Sequence, residues 1–242
     1  MNWQRAYVKR FYESRPGWMD GTSEFHELCR ASIPLGSKIL EIGAGPSNQT
    51  SQFLATLGTV HGWDPSDEVR GNNALETAQV GNGDVLPYLD GSFDGCVSNY
   101  VVEHVPHPAG QLSEIFRILK PGGNYILRTP NRFHYVALVA QATPHWFHEL
   151  VANRLRNLPA EAHDPYPTLY RMNTPAGLRR LAAVAGFETS TLRMVEKEPS
   201  YGMVARPLFL GFMAYERLVN ASEHLAFARA NIFAVLRKPA GR

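Results

Sequence analysis

The sequence predicts an α/β fold in which one parallel sheet is wound on both faces by helices. Three observations lead there. Short apolar runs of strand length alternate with amphipathic stretches of helical period from Ser37 onward. Glycine turns follow the strands, beginning with G-A-G at 43–45. The 242 residues, 44% apolar and 19% charged, suffice for one such domain with insertions, and neither a repeat nor a low-complexity tract interrupts them.

Residues 1–32 carry Trp3, Tyr7, Phe11, Tyr12, Trp18, Phe25 and Leu28 among charges, which predicts two short helices broken at Arg15-Pro16-Gly17 as an N-terminal helical cap. K-I-L-E-I is the first strand, S-N-Q-T-S-Q-F-L-A-T-L a helix, T-V-H-G-W-D the second strand and T-A-Q-V-G a weak third. F-D-G-C-V-S-N-Y is the fourth. A helix over 110–119 follows, with Leu112, Ile115, Phe116 and Leu119 on one face, and then the fifth strand, N-Y-I-L-R-T. Strand and helix in alternation require right-handed crossovers and a parallel sheet.

After Pro130 the rhythm breaks. Residues 131–172 are rich in His, Arg, Pro and aromatics and read as a lid insertion, before a helix at 174–185 ends on Gly186 and a sixth strand starts at Phe187. A second apolar insertion, 200–228, precedes the last strand, A-N-I-F-A-V-L-R. The expected division is a single domain 1–242 with a core at 33–130 and a C-terminal core half at 173–242. Neither insertion reaches the ~20 uninterrupted apolar residues of a membrane span.

Cys29 and Cys96 lack any metal-ligand or disulfide spacing, so no metal is expected, and a charged, aromatic N-terminus without an apolar run argues against a signal peptide. A cytoplasmic protein fits both. The net charge of +2 conceals an asymmetry: residues 1–120 hold 9 Lys and Arg against 14 Asp and Glu, residues 121–242 hold 15 against 8. The two halves are suited to different partners.

The stretch I-L-E-I-G-A-G-P-S-N-Q-T, 39–50, identifies the ligand class. A glycine turn after a strand commonly cradles a phosphate, yet Glu41 stands two residues before the first glycine, and the third glycine of a dinucleotide fingerprint is replaced by Asn48. A carboxylate beside pyrophosphate is repelled by several kcal/mol in a poorly solvated site. The ligand is therefore cationic or neutral. A nucleoside with a positive tail satisfies two acids, Asp64 accepting from ribose hydroxyls and Glu41 facing an ammonium group.

At this point the chain resembles the class I S-adenosylmethionine-dependent methyltransferases, of the type 11-like small-molecule kind, over roughly 33–187. L-E-I-G-A-G is like the first motif, G-W-D-P-S the second, L-P-Y-L-D-G-S-F-D the approach to the fourth strand, S-N-Y-V-V-E-H-V the strand end beside the methyl group, and L-K-P-G-G the turn before the fifth strand. The resemblance implies a Rossmann-like sheet of seven mostly parallel strands and S-adenosyl-L-methionine as cofactor. It implies Glu41, Gly43, Ala44 and Gly45 at the methionine end, Asp64 on the ribose, Pro65 against the adenine and Asn99 lining the site. Where the family shows Gly-Asp, this chain has Asn82 followed by Gly83; either Asn82 or Asp84 takes the adenine amine.

Methyl transfer is an in-line displacement that needs alignment above all, with a general base only for a hydroxyl acceptor. His104 follows the fourth strand, and His134 and His148 lie in the lid insertion; these are the candidate bases. Phe133, Tyr135, Trp146, Phe147, Tyr166 and Tyr170 there, with Arg128, Arg132, Arg154, Arg156 and Arg171, suit an apolar or acidic small-molecule acceptor such as a sugar, lipid, quinone or other secondary metabolite. O-methylation is favoured. The alternatives are a cofactor-binding regulator or partner subunit without turnover, an RNA or protein methyltransferase, and a nicotinamide dehydrogenase. Dispersed basic residues and the absence of a D/N-P-P-Y tetrapeptide argue against nucleic acid as a partner.

Overall fold

The computed structural model describes residues 3–82, 85–142, 166–199 and 202–241. The chain forms two compact units. One comprises Phe25–Pro130, Thr168–Arg193 and Ile232–Arg242; the other gathers Met1–Glu24, Asn131–Pro167 and Met194–Asn231.

All seven predicted strands form. β1 (Ser37–Ile42), β2 (Gly58–Asp64), β3 (Thr77–Val80), β4 (Phe93–Asn99), β5 (Leu119–Pro130), β6 (Glu188–Val195) and β7 (Asn231–Arg237) make one sheet in the order β3-β2-β1-β4-β5-β7-β6. The pairs β1–β2, β2–β3, β1–β4 and β4–β5 are parallel. β7 runs the other way, since Gly122 N donates to Lys238 O at one end of β5 and Asn131 N to Ala230 O at the other. This is a Rossmann-like, mostly parallel sheet. From β1 the chain winds outward through α3 (Gln49–Ala55) to β2 and β3, then returns to the far side of β1 and winds the opposite way through α4 (Pro108–Ile118) from β4 to β5. Right-handed crossovers in opposite directions put α3 and α4 on opposite faces and leave a crevice at the carboxyl ends of β1 and β4.

Local chemistry ends the helices where the pattern expects. α6 (Pro175–Val184) closes with Gly186 N donating to Ala183 O and Phe187 N to Ala182 O, the paired bonds of a Schellman turn, with Gly186 at φ +95°. α4 stops one residue short of the predicted end, and Leu119 opens β5 instead. The Lys238 ammonium satisfies the carbonyls of Phe116 and Leu119 at 2.6 and 2.7 Å, where the negative end of the helix dipole favours a cation. The predicted break in the cap is present: α1 (Trp3–Val8) and its following turn end before Arg15, and α2 spans Gly21–Ser32.

The second unit has its own core. Trp3, Tyr7, Phe11 and Tyr12 surround the fully buried Phe209 of α7 (Arg206–Asn220), all with ring centroids within 6.4 Å of it. Tyr135, opening α5 (Tyr135–Ala142), stacks on Phe212 of the same helix at 5.3 Å.

Candidate active site

The crevice at the tips of β1, β2 and β4 is built from the glycine turn outward. Gly43 sits at φ +72°, and a Cβ there would lie 2.2 Å from Val101 Cγ2, so both the backbone angle and the neighbouring loop require glycine. Its N–H donates to Trp63 O at 2.7 Å. Gly45, at φ +51°, turns its N–H onto Asp64 Oδ2 at 2.9 Å.

Two asparagines hold this turn. Asn48 caps α3 by accepting from Thr50 N and Ser51 N, and its amide donates back to Ala44 O at 2.7 Å. Asn72, 4% exposed, directs one amide nitrogen at the carbonyls of Ala44, Gly45 and Pro46, 3.2 to 3.4 Å away. With these carbonyls turned toward the asparagines, the turn has its shape fixed from behind.

Both amides also donate to Ser51 Oγ at 2.9 Å, and the Ser51 hydroxyl in turn donates a hydrogen bond to Glu41. Glu41 is 3% exposed, and its Oε2 has no hydrogen-bond partner among the described residues. Because Glu41 pairs in register with Gly62, Asp64 lies two residues further along β2 on the same face. Burial pushes the Glu41 carboxyl up to about 7; the Ser51 bond opposes this and the Asp64 charge adds to it. A buried carboxylate with a spare oxygen has the chemistry to accept a cationic group.

Asp64 is spent partly on the fold. Oδ2 accepts from Gly45 N and Oδ1 from Ser66 N at 2.7 Å, while Ser66 caps the turn Asp67–Gly71. Each oxygen keeps a second lone pair. Pro65 and Asn82 are exposed beyond the tips of β2 and β3, and Ala44 is buried. Gly83 and Asp84 lie outside the described residues.

A polar chain borders the tips of β4 and β5. Asn99 donates to Thr50 Oγ1 at 3.1 Å and accepts from Arg128 Nε at 2.7 Å, and His26 Nε2 lies 3.3 Å from the same Thr50 hydroxyl. Arg128, expected with the lid, is instead the penultimate polar residue of β5, 5% exposed, with its guanidinium 4.4 Å from the Tyr100 ring centroid. Tyr100 itself holds φ +58°, a conformation rare outside glycine, at the point where β4 ends.

Of the three candidate bases, two fall among the described residues, one in each unit. His104 is half-buried on the turn Val102–His104 directly after β4. His134 belongs to the other unit, 5% exposed, with Nε2 3.5 Å from Glu196 Oε2; burial pushes its imidazole down to about 4. His148 lies outside the described residues, as do Trp146, Phe147, Arg154 and Arg156. Sequence reasoning missed Asn48, Thr50, Ser51 and Asn72. Only Asn48 carried a readable signal, an asparagine directly before a helical run.

Comparison with known proteins agrees with this geometry. The methyltransferase domain family matches residues 40–127, from β1 into β5. Over 219 residues the chain is 28% identical to a ubiquinone biosynthesis O-methyltransferase of Thiobacillus denitrificans, covering 82% of this chain and 89% of that protein. An uncharacterized methyltransferase of Mycobacterium sp. (strain KMS) is 36% identical over 111 residues, 43% of each chain. Among solved structures, the Haloferax volcanii methyltransferase in complex with the Trm112 activator superposes with a TM-score of 0.58 at 18% identity, over 98% of this chain and 93% of that one, and so shares the fold. With a strand order of 3-2-1-4-5-7-6 and a buried carboxylate behind its glycine turn, the chain is similar over residues 40–127 to the methyltransferase domain family and shares the fold of solved methyltransferase structures.

Proposed function

We propose that the methyl acceptor is a small molecule and that its nucleophile is an oxygen. The observation that carries this reading is the similarity along 89% of a relative named for O-methyl transfer. S-adenosylmethionine, when bound, supplies a methyl carbon activated by a sulfonium. Glu41 Oε2 receives the ammonium end, with Gly43, Ala44 and Gly45 allowing close backbone approach. Asp64 offers its remaining lone pairs to the ribose, Pro65 flanks the adenine, and Asn82, or Asp84 beside Gly83, accepts from the adenine amine. Asn99, oriented by Arg128 and Thr50, lines the methionine end.

For a hydroxyl acceptor a base contributes roughly 10²–10⁴-fold. We assign it to His104, because it follows Tyr100 and Val101 on the loop that abuts Gly43. His134 takes a packing role, since an imidazole pushed down to about 4 is a weak acceptor of protons near neutrality.

The experiment is to incubate the chain with S-adenosylmethionine and matched phenol and amine acceptors, following S-adenosylhomocysteine and the mass gain of one methyl. Phenol methylation, with His104→Ala lowering kcat while cofactor affinity holds, supports the reading. Turnover of amines alone overturns it.

A further inference from the structure

In the unit that holds α1, α5 and α7, one helix is apolar on both sides. α7 turns Phe209 and Val219 inward, 0% and 3% exposed, together with its single acid, Glu216. Its outer stripe is Pro207, Gly211, Ala214 and Leu218, spaced i, i+4, i+7 and i+11, with Leu208 and Leu210 alongside. Leu218 is 61% exposed and Leu208 44%. An outward helical face in water ordinarily carries charge; this one carries none.

The face continues onto α5 through a groove of about 400 Å³ walled by Tyr135, Pro207, Leu208, Gly211, Phe212 and Tyr215. The Tyr215 hydroxyl is turned away onto Ala228 O, so the groove presents ring and methylene surface. Phe133 and Leu138, next to Tyr135 in the chain, are 54% and 50% exposed. Apolar surface this continuous marks an interaction site.

Charge selects the occupant. Among the described residues of this unit the exposed basic side chains are Arg5, Lys9, Arg10, Arg15, Arg132 and Arg206, against exposed acids Glu13 and Glu223. Glu223 is paired with Arg229 at 2.8 Å. A second copy meeting this unit across a two-fold axis would bring two surfaces of the same positive excess together. A protein partner would need about one hydrogen bond per 100–200 Å², which the outer stripe of proline, leucine, glycine and alanine does not provide.

We propose that the outer face of α5 and α7 seats this unit on the surface of an anionic lipid bilayer, with the apolar groove receiving acyl chain and the unit's exposed basic side chains, Arg206 beside Pro207 and Arg132 beside Phe133 among them, meeting headgroups. No helix of the described residues is long and apolar enough to cross a membrane, so the attachment is peripheral. The proposal stands apart from the choice of methyl acceptor.

The test is co-sedimentation of the full chain with phosphatidylcholine vesicles, with and without phosphatidylglycerol, at low and high salt. Pelleting with the anionic vesicles alone, reversed by salt and reduced at least tenfold by Leu208→Glu with Leu218→Glu, is expected. Because both leucines are exposed, the melting curve of that double variant should match the parent, and Arg206→Glu provides a second, milder reduction. Absence of pelleting with anionic vesicles overturns the proposal, as does equal pelleting with neutral ones. A dimer in analytical ultracentrifugation that the leucine variant dissolves, without vesicle binding, also overturns it.

Discussion

Asn72 donates its side-chain amide to Ser51 Oγ at 2.9 Å, and Ser51 in turn donates to Glu41, so a residue from the turn after β2 acts on a carboxylate in β1 through one hydroxyl. The same amide nitrogen faces the carbonyls of Ala44, Gly45 and Pro46. Glycine turn and acid are thus linked through one buried side chain, which shares Ala44 O and Ser51 Oγ with Asn48.

Asn72→Ala removes the donor shared by the Gly45 and Pro46 carbonyls and leaves Ser51 Oγ and Ala44 O with Asn48 alone as donor, a loss of about 1–3 kcal/mol in stability. The turn then relaxes, and S-adenosylhomocysteine binding should weaken roughly tenfold, equivalent to about 1.4 kcal/mol. Asn72→Asp should be worse than alanine, because it sets a carboxylate against those carbonyls. Titration calorimetry and a thermal melt on each variant check both parts.

Glu41, proposed to face the ammonium end of the cofactor, should give cofactor binding a pH dependence. Its carboxyl, raised to about 7, is largely protonated below that pH, whereas a cationic ligand requires it ionised. Affinity should therefore rise with pH up to about 7 and level off above, with binding about tenfold weaker one pH unit below the pKa than on the plateau. Protons should be released on binding at pH 6, seen as a buffer-dependent heat. Glu41→Gln should lower affinity and abolish the slope; a slope that persists in the variant would assign it to another group.

Gly43→Ala meets two obstacles, a positive φ that costs about 1–2 kcal/mol for an L-residue and the Val101 methyl at 2.2 Å from the new Cβ. Cofactor affinity should fall by at least tenfold. Adding Val101→Ala removes the steric part and should restore a portion of it, a coupling that distant sites do not show. Gly45→Ala, with open space around its Cβ, should be the milder change in the same binding assay.

The strands were legible because each one carries its own pattern: I-L-E-I and F-D-G-C-V-S-N are short, apolar and closed by a turn, and their tips placed Glu41 and Asn99 at one edge of the sheet. Asn72 was not legible. Its partners lie 21 to 28 positions away, and they meet only once β1 and β2 are paired. Arg128 misled for the opposite reason: an arginine at a strand end reads as surface charge, while here Phe25, Tyr100 and Phe233 lie within 5.9 Å of its guanidinium and Asn99 takes its Nε proton. Two insertions separated by 27 residues read as separate lids, yet 200–228 and Asn131–Pro167 of the first belong to one unit with the N-terminal aromatics. Local pattern finds elements; it does not find which distant elements share a core.

That unit should have its own pH signature. Burial, with Glu216 and Glu198 adding and the Ala230 N–H and Arg229 opposing, raises the Glu196 carboxyl from 4.5 to about 8, and burial lowers the facing His134 from 6.5 to about 4. A raised carboxyl favours the folded state fully below pH 4.5 and loses that contribution as pH climbs through 8; a lowered imidazole contributes fully above pH 6.5 and loses it as pH falls through 4. Between 4.5 and 6.5 the two oppose each other. Above 6.5 the histidine contribution is constant, so the melting temperature should fall as pH rises toward 8.5, through Glu41 to about 7 and through Glu196 beyond it. Glu196→Gln, whose amide oxygen can still accept from Ala230 N, should remove the decline above pH 7 and leave the histidine's gain between pH 4.5 and 6.5 unopposed by Glu196. Scanning calorimetry across pH 5 to 9 separates the two, since a decline that survives in Glu196→Gln would place the ionising group elsewhere.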